Sequence, residues 1–186
     1  LLAYNTHYLA YNVNMSANEM FLDTATLRES VVSHAKTLGH TPRSARSPEA
    51  FIDVTVNDLS VDTATIPKGA KFTTTIDNVN YNFVTNASVT ATRTNNVLRF
   101  NNLPIYEGTL ITTRYTVNTS DVEQRFLLTD NRADTTTLQV SVQNSATDSE
   151  TTTYTLATDI TQVTDESNVY FLQEVEGGQF EVYFGD

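Results

Sequence analysis

The sequence predicts an α+β protein: N-terminal helices followed by a predominantly antiparallel β domain, sandwich- or barrel-like. Three observations predict it. Apolar residues recur at helical spacing only in the first forty or so positions. From Phe51 onward that period disappears, and threonine, about one residue in six of the whole chain, dominates with valine and asparagine. Pairs such as Asp77-Asn78 and Asn95-Asn96 then punctuate the chain at short intervals, as turns between short strands do. The expected organisation is a helical segment over residues 1–45 and a Thr-rich acidic β domain over 46–186.

Tyr4, Tyr8, Tyr11, Met15 and Leu22 share one helical stripe, and a second run places Leu27, Val31, Ala35 and Leu38 on another. Asp23 and Thr24 punctuate the two helices. Either can cap the second, and Thr26-Leu27-Arg28-Glu29 also fits a capping box. Gly39 and Pro42 end it, since glycine takes a left-handed cap cheaply and proline discourages continuation. Residues 41–48 read as a connector. Strands are expected at 51–56, 71–76, 81–85, 88–93, 97–100, 110–117, 123–128, 137–143 and 151–156, followed by a hairpin around Gly177-Gly178. Centring that turn on the glycines pairs Val175 with Phe180, Gln173 with Val182 and Phe171 with Phe184, and sets Glu174 against Glu181. The chain stops one residue past Gly185 and starts at Leu1, which reads as a fragment of a longer protein.

Charge and composition exclude several classes of function. The net charge is -11, yet all 11 basic residues lie at or before Arg132, so the stretch from Ala133 onward is acidic throughout. Such a field repels phosphates, which argues against nucleic acid as a partner. Without cysteine, disulfides, thiolate catalysis and Cys-based zinc sites are excluded. No apolar run approaches a membrane span.

Catalytic chemistry finds little support. His7, His34 and His40 all lie in or just after the helical segment, without a nucleophile elbow or a metal-ligand partner at i+4, and read as structural. The Glu174–Glu181 pair could raise one carboxyl pKa for acid-base work or hold calcium, with Asp165-Glu166 nearby; screening on an exposed face, or an ion pair to another subunit, is the plainer reading. Gly-rich phosphate loops are absent. The chain is expected not to be an enzyme and to need no cofactor or metal.

Several segments carry a resemblance. Asn5-Thr6-His7-Tyr8-Leu9-Ala10-Tyr11, Asn18 to Ala25 and Val31 to Gly39 resemble the amino-terminal part of the baseplate wedge proteins of T-even-like contractile-tailed phages. Ile66-Pro67-Lys68-Gly69-Ala70-Lys71-Phe72 is similar to the Ile-Pro-x-Gly-x-x-Phe signature of the broader baseplate J-like group, and Tyr183-Phe184-Gly185-Asp186 to its Phe-Gly-Asp-Gly strand end. The resemblance implies a structural virion protein of the tail baseplate, made in the host cytoplasm. It further implies assembly with other baseplate proteins as a dimer within a ring, rearrangement on sheath contraction, and no catalytic residues. Tyr4, Tyr8, Tyr11, Met15 and Leu27 are then the candidate interface anchors. Packing of these residues on the chain's own sheet is the competing reading, an adhesive β module for host glycan or calcium is the alternative function, and an acid-base glycosidase is a third.

Overall fold

The computed structural model describes residues 1–57, 61–121, 124–158, 161, 163–164 and 166–184. The chain forms two compact units, one of residues 1–45 with 115–186 and the other of 46–114. The β portion is shared between the units.

The unit of residues 46–114 is wholly antiparallel. Strands β1 (Glu49–Asn57), β6 (Val97–Glu107), β4 (Val79–Val84) and β3 (Lys71–Ile76) form one sheet in the order β1-β6-β4-β3, and β2 (Thr63–Ile66) pairs with β5 (Val89–Thr92) in a second. Alternation along β1 sends Val54 and Val56 inward, where with Ala64, Ile66 and Val89 they pack on Leu98, Phe100 and Ala91. The expected turns form: Asp77, Asn78, Asn95 and Asn96 all take positive φ, the conformation that asparagine and aspartate tolerate and two-residue hairpins require. Opposite Asp53 the β1–β6 register slips by one. Asn102 there has a φ of 55°, and its amide, released from the ladder, donates to Asp53 Oδ1 at 2.7 Å.

Helices α1 (Leu2–Glu19) and α2 (Arg28–Thr37) belong to the other unit, with a five-stranded sheet in the order β7-β11-β10-β9-β8. Its strands are β7 (Phe126–Leu127), β8 (Val140–Gln143), β9 (Thr151–Leu156), β10 (Val169–Glu174) and β11 (Phe180–Tyr183). Only β9 and β10 run parallel. On one face an edge-to-face chain of rings links Tyr115, Phe126, Phe184 and Tyr154 at centroid separations of 5.4–5.8 Å, and Phe180, Val182 and Tyr170 are buried.

The α+β class is thus borne out, with local corrections. Residues 110–117 form no strand, because β propensity without a partner edge yields no ladder, and Leu110, Ile111, Tyr115 and Val117 remain exposed. Strand β8 starts at Val140 rather than 137, since the Asp134 carboxylate accepts from Thr136 N at 2.9 Å and holds Thr135–Thr137 in a 3-10 turn. Strand β2 was not expected. The Thr26–Glu29 capping box does not form either: Leu27 is the N-cap, with no side-chain cap of its own. Glu123, Asp165, Gly185 and Asp186, which figured in the strand, acidic-cluster and strand-end readings, lie outside the described residues.

Candidate interface surface

The hairpin that the sequence made most prominent closes differently from the expected register. Its connection takes three residues, Glu176–Gly178, with both glycines at a φ of 74°, and Val175 N donates to Gln179 O at 2.8 Å. Including Glu176 in the turn slips the pairing by one, so Phe171 faces Tyr183, Gln173 faces Glu181, and Glu174 faces Phe180. Glu174 and Glu181 therefore do not oppose each other.

Nor are these carboxylates exposed. Glu174 retains 1% of its surface and Glu181 5%. Each is held by an arginine fork: Arg28 Nε and Nη2 donate to Glu174, both at 2.8 Å, and Arg125 donates to Glu181 at 2.7 and 2.8 Å. Gln173 Nε2 adds a third donor to Glu181 at 3.0 Å. The Arg125 hydrogen bonds hold the Glu181 carboxyl below its ordinary pKa against the opposing effect of burial, and the Arg125 guanidinium is correspondingly pushed up. With both oxygens of each carboxylate engaged by an arginine fork, neither Glu174 nor Glu181 is a free metal ligand. Among the described residues no group of three or more acidic, histidine or cysteine side chains could hold a metal ion. Arg28 and Arg125 were invisible to sequence reasoning because no local signal links them to their partners.

Around the helices a single residue organises the elbow. Glu19 closes α1, and its carboxylate accepts from Thr26 N at 3.0 Å, Thr26 Oγ1 at 2.8 Å and Leu27 N at 3.2 Å. Its pKa is lowered to about 2, chiefly by the Thr26 amide and then by the Ser30 hydroxyl. The Glu19 carbonyl lies 2.9 Å from His34 Nε2, which gives that histidine a structural partner. One residue of α1 thereby supplies the acceptor for the N-cap amide of α2.

Beyond the elbow, α1 buries none of its residues. Tyr4, Tyr8 and Tyr11 are exposed by 69%, 58% and 60%, Leu27 is exposed at the start of α2, and Met15 is half-buried. Tyr4 and Tyr8 stack with centroids 6.3 Å apart. A second apolar stripe, missed in the sequence, runs along nearly the opposite side. Leu9, Val13 and Met20 line a shallow groove there with Asn12, Ser16 and Ala17, and all three are more than half exposed. The Ile66–Phe72 motif has an internal role instead: the buried Thr85 hydroxyl donates to Pro67 O at 2.8 Å and accepts from Ala70 N at 3.0 Å, while Gly69, at a φ of 80°, donates to Thr85 O at 2.8 Å.

No protein-family model matches the chain. It is 30% identical over 190 aligned residues to the baseplate wedge protein gp6 of Enterobacteria phage T4, an alignment that takes in all of this chain and 28% of that protein. The chain thus spans little more than a quarter of the relative it matches. The resemblance to baseplate wedge proteins of T-even-like phages holds along its entire length.

Proposed function

We propose that this chain is an assembly module of a contractile-tail baseplate, located in the virion, that joins its neighbours through helix α1. The likeness to a phage T4 baseplate wedge protein supports the structural role, and the observation that carries the mode of assembly is the exposure of α1 on both apolar stripes. A helix that is apolar on opposite sides gains stability only when something covers it. In this reading a second copy covers the tyrosine stripe, giving a dimer within a ring of baseplate proteins of the J-like group. The work is mechanical and needs no catalytic residue or cofactor. Rearrangement on sheath contraction requires two interface arrangements of similar free energy, between which an external signal selects.

Sedimentation equilibrium tests the interface. The chain is expected to self-associate, and the double substitution Tyr8→Asp with Tyr11→Asp is expected to give a folded monomer. Unchanged monomers in both cases would defeat the proposal.

A further inference from the structure

The charge of this protein is not spread evenly. By sequence, residues 1–45 and 115–186 carry 16 acidic and 5 basic residues, whereas 46–114 carry six of each. Four of those 5 basic residues, Arg28, Lys36, Arg43 and Arg132, line a single half-open cavity of about 630 Å³. One face of α2, the connector at Arg43–Ala45, the Asn131-Arg132 loop and the hairpin turn enclose it. The connector is pinned there by Ser44 Oγ, which accepts from Thr135 N at 3.0 Å.

The cations of the cavity have different duties. Arg28 is committed to Glu174 and Arg132 to Asp130, the latter at 3.4 Å. Lys36 and Arg43 are exposed and make no hydrogen bond or close ion pair among the described residues, although the field of Lys36 reaches Glu181. Val32 and Phe180 supply an apolar floor, and Glu29 and Glu176 stand as exposed acids among the lining residues. Solvated charges in so acidic a unit would lower their energy by dispersing among the carboxylates. Here they gather instead around a concavity of the unit, where an incoming carboxylate meets two uncommitted cations above an apolar base.

We propose that this cavity receives an acidic segment of a neighbouring polypeptide, with Lys36 and Arg43 as the carboxylate receivers. The surrounding negative field disfavours a polyphosphate chain, because every further charge is repelled. A short peptide that seats one or two carboxylates and lays a side chain on Val32 and Phe180 meets the attraction without that penalty. The inference does not depend on the helix-mediated assembly proposed above.

Titration of the full 186-residue chain with a short synthetic Thr-rich peptide that carries two acidic residues and no other charge, followed by amide NMR, provides the test. Saturable shifts are expected at Val32, Lys36, Gly177 and Gly178. Affinity is expected to fall about tenfold or more in the Lys36→Glu, Arg43→Glu double variant. Both positions are exposed, so the variant should fold, and an unchanged melting midpoint verifies it. The same peptide with Asn and Gln in place of the acids is expected to leave the spectrum unmoved. Equal binding of that neutral peptide, unchanged affinity in the double variant, or the same shifts at the same concentration from inorganic phosphate would each overturn the proposal. A monomer in the sedimentation experiment would leave this result standing, so the two failures are distinguishable.

Discussion

Glu19 and Thr26, on either side of the helical elbow, are joined by two hydrogen bonds to one carboxylate oxygen, 3.0 Å from the Thr26 amide and 2.8 Å from its hydroxyl. The carboxylate also reaches Leu27 N, so the first helix provides a negative charge at the start of the second and the acceptor for its N-cap amide. Cap and inter-helix joint are therefore one group, and disturbing it should loosen both.

The pH dependence has a definite sign. Glu19 falls from an ordinary value of 4.5 to about 2 in the folded chain, so its contribution is fully present above 4.5 and is lost as pH falls toward 2. Far-ultraviolet circular dichroism should show helicity declining across that window. Glu19→Gln should lower helicity already at neutral pH and flatten the decline. Hydrogen exchange at the Thr26 and Leu27 amides localises the effect: protection unchanged in the variant would exclude Glu19 as the cap.

Thr85 gives a prediction of magnitude. Its hydroxyl is buried and both donates to Pro67 O and accepts from Ala70 N, so Thr85→Val preserves shape while removing both bonds and leaving the turn only the 3.2 Å bond from Ala70 N to Pro67 O. The expected loss is about 1–3 kcal/mol in urea unfolding, with Thr85→Ser closer to the parent. Gly69→Ala should also destabilise, since its φ of 80° is strained for any L side chain and a Cβ would lie 3.3 Å from Leu110 Cδ2. Equal midpoints for Thr85→Val and the parent would show that the Pro67–Ala70 turn holds without the hydroxyl.

How much of this was legible in the sequence follows from the range of each interaction. Asp77-Asn78 and Asn95-Asn96 announced their turns because the positive φ angles are a property of those residues themselves. The last hairpin was legible as a hairpin but not in register: whether Glu176 belongs to the strand or to the turn decides every later pair, and composition does not settle it. Glu174 and Glu181 stood out as acids, yet their partners lie 146 and 56 positions away, so a pair expected to repel on a surface proved to be two buried carboxylates, each held by an exposed arginine. Helical periodicity identified the tyrosine stripe of α1. The opposite stripe was overlooked because one amphipathic face already satisfied the pattern.

Calcium binding is the last expectation open to a simple measurement. The acidic stretch after Ala133 invites it, yet the best-placed carboxylates are already engaged. Arg28 and Arg125 hold Glu174 and Glu181, the Arg132 amide and side chain hold Asp130 low, and the Glu150 amide with Asn144 does the same for Asp148. A calcium ion needs six to eight oxygen ligands, so binding at these four would have to break a charge-assisted bond for each carboxylate it recruited. Millimolar calcium at matched ionic strength should therefore shift the melting midpoint by no more than about 1 °C, because an ion without differential affinity for the native state cannot stabilise it. A midpoint that climbs steadily with calcium but not with magnesium would revive the adhesive-module reading and require acidic groups other than these four.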